Sequence, residues 1–199
     1  MLAGLLIGFA GVLYLQAVAL IPDKTAGVIA GAVLFSLGLL SVIVFKTNLF
    51  TGKVGYINSF RTLWQGLLML VLNLAAAFAL GLLFKLCVGE SGALVSRLNK
   101  DLLRILFDST ICGMCVFLSV DLYKRTSNIF TIILPVVAFI VTGGEHCIAF
   151  AFYIGTAPFT SDLGPAFLRL GVMIVGNSIG ALLLRLLSYH LIDKPRENF

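Results

Sequence analysis

Apolar residues in this chain come in long unbroken runs, and polar residues punctuate them rather than alternate with them. Residues 1–22, 26–45, 62–84 and 126–144 contain no Asp, Glu, Lys or Arg, and two further apolar stretches surround Cys112 and Val175. A helix rising about 1.5 Å per residue needs roughly 20 apolar residues to cross a hydrocarbon core about 30 Å thick. The pattern therefore predicts an all-α integral membrane protein with six transmembrane helices.

The boundaries follow from the punctuation. Pro22-Asp23-Lys24 ends the first run, and Gly27, Gly31 and Gly38 near one face of the second predict a tight hairpin of helices one and two. The second helix is interrupted over 46–52 and returns to apolar character over 54–60. A third helix is expected over 62–87, a polar connection over 88–100 and a fourth helix over 101–123. The fifth opens at Thr126, is broken at 142–146 and resumes over 147–154; the sixth covers 165–191, followed by a short charged tail, 193–199. The whole chain, 1–199, reads as a single transmembrane channel domain.

The two interruptions point to function. Main-chain N–H and C=O groups freed from a helix cost several kcal/mol each in lipid, so breaks are tolerated only inside protein or beside a water-filled cavity. With helices two and five broken, the breaks occupy corresponding positions in two halves of three helices, the pattern of inverted-repeat transport proteins. No residue-by-residue identity links the halves; the repeat rests on hydropathy and glycine placement.

Composition agrees: 60% of residues are hydrophobic, 12% are charged and the mean hydropathy is +1.08, which excludes water as the main solvent. The net charge of +5 is not gathered into a basic arm, so no nucleic acid is expected as partner, whereas a positive excess attracts anions. Ala17-Val18-Ala19 resembles a leader cleavage site, but no positive segment precedes the apolar run, which is kept as a helix. With the amino terminus inside, Lys53, Arg61, Lys124, Arg125, Arg185, Lys194 and Arg196 would lie inside. Lys24, Lys85, Arg97, Lys100, Arg104 and Arg169 would lie outside, and seven against six fixes no orientation. The pair Cys112 and Cys115 lies in an apolar helix without a second pair or nearby His, so it reads as packing, and no metal or cofactor is expected. An intramembrane enzyme is disfavoured, since the chain has one other His, His190, and no metallopeptidase or serine-hydrolase motif.

Glu145 and His146 fall at membrane depth, where an ionisable group is a functional candidate by default. Glu145 has a competing structural role, capping free amides of the following half-helix. Lys46 and Arg104 have stems long enough to reach an interface or vestibule.

Three segments together resemble the formate/nitrite transporter family: Asn48-Leu49-Phe50-Thr51-Gly52; Leu134-Pro135-Val136 leading to Gly143-Gly144-Glu145-His146-Cys147-Ile148-Ala149; and Gly176-Asn177-Ser178-Ile179-Gly180. The stretch from Leu34 to Leu39 also looks like the family's segment before its loop, so the likeness extends over nearly the whole chain. The resemblance implies an aquaporin-like fold with a pore through each protomer of a homopentamer, in a bacterial plasma membrane, carrying small monovalent anions such as formate, nitrite or hydrosulfide. It places the pore histidine on His146, the loop threonine on Thr51 and apolar constrictions on Phe35, Leu39, Leu49, Val116 and Phe139. Asn48, Glu145 and Asn177 complete the expected pore or substrate set, and the vestibule cation falls on Arg97 or, one turn away, Lys100. The sequence departs from the pattern at Asn48, where an acid is usual, at Gly144, where an aromatic is usual, and at Gly113, where an Asn is frequent; Gly113 and Gly144 would widen the path. The family's amino-terminal amphipathic helix has no counterpart before the first span, so gating through it is not expected.

The expected mechanism gathers the anion at Arg97 or Lys100 and passes it, as the neutral acid, between the constrictions past Thr51 and His146. A bare anion loses its hydration there at large cost, whereas the neutral acid loses far less. The alternative is a neutral-solute channel of aquaporin type, which would carry paired Asn-Pro-Ala motifs and a filter Arg; the sequence has no such motif.

Overall fold

A computed structural model describes residues 1–189. The end of the expected sixth helix, His190 and Leu191, and the charged tail lie outside the described residues.

The helices are α1 (Leu2–Leu20), α2 (Lys24–Val44), α3 (Phe50–Lys53), α4 (Phe60–Cys87), α5 (Ala93–Leu98), α6 (Leu102–Thr126), α7 (Phe130–Val141), α8 (Cys147–Thr156) and α9 (Gly164–Ser188), with a 3-10 turn at Val54–Tyr56 after α3. Five of them, α1, α2, α4, α6 and α9, are long and apolar enough to cross a membrane; α7 and α8 are shorter apolar helices. Large apolar side chains such as Phe60, Trp64, Leu103 and Leu134 stand exposed on their outer faces, as a lipid solvent requires.

Local chemistry sets the ends. The Asp23 carboxylate accepts from Ala26 N at 2.7 Å to start α2, a Ser59/Thr62 capping box starts α4, and Asp101 accepts from Arg104 N at 2.8 Å to start α6. The glycines of α2 let α1 approach: a methyl group at Gly31 would lie 2.8 Å from the Tyr14 ring, and one at Gly38 2.9 Å from Leu6 O.

Two expectations change. The connection 88–100 contains α5, a turn of helix whose Arg97 is held against α8. After α2, the chain is non-helical only over 45–49 and resumes helix at Phe50, four residues before the apolar run expected to carry it. That run forms a 3-10 turn instead, because Gly55 packs against the Phe117 ring and Ser59 already caps α4. Helix restarts early because a side chain from α4 supplies the hydrogen bonds that the first turn lacks.

Around this frame α1 packs on α2 and α4, while α6 packs on α7 and α9. The short α8 lies against α4, and the α3 segment lies against α6 and α9. Every residue of α8 is buried, as are Phe50, Thr51 and Gly52 of α3.

Candidate functional site at the two helix restarts

Asn73, in the middle of α4, is fully buried and uses both ends of its amide on the first restart. Its Oδ1 accepts from Phe50 N at 3.0 Å and its Nδ2 donates to Asn48 O at 3.2 Å. Asn177 of α9 does the same for the second: Oδ1 accepts from Cys147 N at 2.9 Å, and Nδ2 donates to Glu145 O at 2.9 Å and Ser109 O at 2.7 Å. Phe50 and Cys147 are each the first residue of a short helix, and Asn48 and Glu145 stand two residues before them. The same orphaned main-chain groups are thus satisfied by the same residue type. The helices behind them approach alike: a methyl group at Gly4 would lie 2.8 Å from Asn73 Cα, and one at Gly113 2.7 Å from Asn177 Cα.

This pairing gives Asn177 a structural role as staple, with both Nδ2 protons donated and Oδ1 accepting within the protein. It also moves Gly113 out of the path, since its missing side chain faces the backbone of α9. Sequence reasoning missed Asn73, although an amide in the middle of a charge-free span is expensive without partners and was a usable signal.

The restarts bring Thr51 and His146 together. Thr51 Oγ1 and His146 Nε2 are 2.9 Å apart, with Thr51 fully buried and His146 5% exposed. His146 is itself the N-cap of α8: its Nδ1 accepts from Ala149 N at 3.2 Å. The expected cap, Glu145, is turned elsewhere. Because Nδ1 accepts, the proton of the neutral ring sits on Nε2, which donates to Thr51 Oγ1. The Thr51 hydroxyl proton then remains available to another acceptor.

Glu145 is buried, and both its oxygens are paired: Oε2 with Arg97 Nε at 3.0 Å and Oε1 with Lys100 Nζ at 2.7 Å. Lys100 also bonds Asp108 Oδ2 at 2.8 Å and Gly143 O at 2.9 Å, while Asp108 Oδ1 accepts from Arg104 Nε at 2.8 Å. The Arg97 guanidinium stacks 4.2 Å from the Tyr153 ring. Arg97 and Lys100, alternatives for one cation in the sequence, both belong to this cluster and both anchor the residue preceding His146.

Phe35, Leu39, Leu49, Val116 and Phe139 are each 1–4% exposed. Phe35 and Phe139 meet edge to face with centroids 6.5 Å apart. On one side, these two rings, His146, Arg97, Lys100 and Gly144 line a cavity of about 320 Å³. On the other, Leu49, Val42, Val120, Lys46, Lys53 and Lys124 line a cavity of about 430 Å³. Leu39 lies one helical turn from both Phe35 and Val42, and Val116 one turn from Val120. Asn48 is exposed, with its Oδ1 accepting from Lys53 Nζ. A larger cavity of about 700 Å³, bordered by Gln65, Met69 and Asn73 of α4, touches neither Thr51 nor His146.

No curated protein sequence matches the chain. Among solved structures, an "FNT family ion channel" superposes with a TM-score of 0.86 at 20% identity, covering 95% of this chain and 86% of that one. A "pentameric formate channel with formate bound" superposes with a TM-score of 0.80 at 21% identity, covering 96% and 93%. At such identities the likeness is one of fold. The sequence model of the formate/nitrite transporter family matches residues 1–191, nearly the full length, and the chain, a multi-pass membrane protein, belongs to that family of transporters.

Proposed function

We propose that this chain is a channel for small monovalent weak-acid anions, such as formate, nitrite or hydrosulfide, which cross as the neutral acid past Thr51 and His146. Residues 1–199 act as one domain with six crossings: α2 with α3 and α7 with α8 form two broken helices, related as an aquaporin-like inverted repeat. The matched Asn73 and Asn177 staples support that relation residue by residue. Five copies assemble in a bacterial plasma membrane, each with its own path, as the pentameric formate channel of like fold suggests.

The observation that carries this reading is the buried Thr51–His146 pair, with His146 lining one cavity and Gly52, next to Thr51, lining the other. Phe35 and Phe139 on one side, and Leu39, Leu49 and Val116 on the other, offer no partner to a bare charge. An anion stripped of water there is costly, and taking up a proton removes most of that cost. The proton comes from vestibule water, because the neutral His146 is already committed, accepting at Nδ1 and donating at Nε2. His146 therefore orients Thr51, whose hydroxyl donates to an oxygen or sulfur of the solute at the narrowest point. Arg97 and Lys100 hold Glu145 and so fix the restart that presents His146.

Flux in proteoliposomes tests this. Formate influx should rise with an inward proton gradient, and it should fall at least tenfold in Thr51→Ala. Passage of glycerol or water without formate flux would instead identify a neutral-solute channel.

A further inference from the structure

The cavity of about 320 Å³ that borders His146 carries two tyrosine hydroxyls for which the transport reading has no role, those of Tyr14 from α1 and Tyr153 from α8. Tyr153 is 5% exposed and Tyr14 half-buried, yet neither hydroxyl has a hydrogen-bond partner among the described residues. A buried tyrosine hydroxyl normally finds a partner, because without one it forfeits its hydration. Among the described residues, the sealed side-chain polar atom that lacks a partner is Arg169 Nε, so the Tyr153 hydroxyl, which also lacks one, reaches open space.

Both rings are held in place. The Arg97 guanidinium lies 4.2 Å from the centre of the Tyr153 ring, and the Tyr14 ring packs over Gly31 of α2, where an added methyl group would lie 2.8 Å from it. Tyr14 and Tyr153 stand close enough to each other, to Arg97 and to Glu145 to interact electrostatically. The cations beside them are already committed. Lys100 donates all three ammonium protons inside the protein, to Asp108, Gly143 O and Glu145, and Arg97 donates through Nε to Glu145 and through Nη1 to Ala93 O. A tyrosine hydroxyl is neutral and serves both forms of a weak acid: it donates to an oxygen of the anion and accepts from the O–H of the acid.

We propose that Tyr14 and Tyr153 form a solute-binding subsite for small two-oxygen anions of the carboxylate or nitrite class, which wait there before passing between Phe35 and Phe139. Two hydroxyl donors suit an anion that spreads its charge over two oxygens, whereas the single sulfur of hydrosulfide is a weak acceptor, so the subsite favours the oxygen anions. The inference rests on the reading of the chain as a small-anion path.

Tyr14→Phe and Tyr153→Phe each remove one oxygen and keep the ring, so the packing on Gly31 and Arg97 survives. The test measures flux through the full chain in proteoliposomes sorted by sidedness, with formate and hydrosulfide as separate probes. For entry from the Arg97 face, the half-saturating formate concentration should rise about threefold in each single variant and about tenfold in the double variant, with maximal flux kept. Half-saturation by hydrosulfide should stay in place, so the preference for formate falls by the same factor. A purely structural role would lower maximal flux of both solutes and leave half-saturation where it was. That result, or no change for either solute, would overturn the subsite while leaving the channel reading intact. If the double variant does not assemble, the single Tyr153→Phe variant decides by the same split. A wild-type chain that carries no formate from either face would overturn the channel reading and the subsite with it.

Discussion

Glu145 shows how one side chain can fix a site through the residues beside it. It is buried between Arg97 and Lys100, one residue before His146, and its main-chain carbonyl is held by Asn177. Removing one member of a buried ion pair costs about 3 kcal/mol or more, because the partners keep their desolvation without compensation. The cations here are 19% and 27% exposed, which puts Glu145→Ala near the lower end of that range. Thermal unfolding in detergent should show a loss of about 3 kcal/mol. Asn73→Ala should cost about 2 kcal/mol by the same measurement, since Phe50 N and Asn48 O lose their partner. It should also lower formate flux as Thr51→Ala does, because the turn that carries Thr51 loses its anchor. His146 and Glu145 stood out in the sequence as ionisable groups at membrane depth, and Thr51 through the family resemblance, but their division of labour did not. Whether Glu145 or His146 caps α8 depends on which side chain the Arg97 and Lys100 cluster captures, a contact made across 45 residues or more.

At the scale of elements, the helices were legible because each apolar run is long and ends at a cap or a turn residue: Asp23, Ser59 and Asp101 all cap helices. The restart at Phe50 was not, because a four-residue helix has no periodicity of its own and exists by virtue of Asn73 on another helix. Close approach is the other long-range feature. At Gly113 an added methyl group meets the α9 backbone, whereas at Gly92 nothing lies within 4 Å. Gly113→Ala should therefore destabilise by about 1–3 kcal/mol, while Gly92→Ala should change stability little, and thermal unfolding of the two variants checks the contrast.

For the whole molecule, five copies of the 21.4 kDa chain predict a protein mass near 107 kDa after subtracting bound detergent; native mass spectrometry checks it, and a monomer or tetramer would contradict the proposed assembly. The family was legible because its motifs sit at the two breaks and in α9, where main-chain demands restrict residue choice. The tyrosine pair was not, because Tyr14 and Tyr153 come from helices far apart in the chain and share a cavity only once it folds. The central claim is that solute crosses as a neutral acid at a Thr51 hydroxyl freed to donate by a neutral His146. Formate influx into proteoliposomes across a pH gradient, comparing the native chain with Thr51→Ala, Thr51→Ser and His146→Asn, tests it most directly. The account predicts influx that rises as the outer pH falls, survives in Thr51→Ser, and drops at least tenfold in Thr51→Ala and His146→Asn. Influx and pH dependence unchanged in both Thr51→Ala and His146→Asn would contradict it.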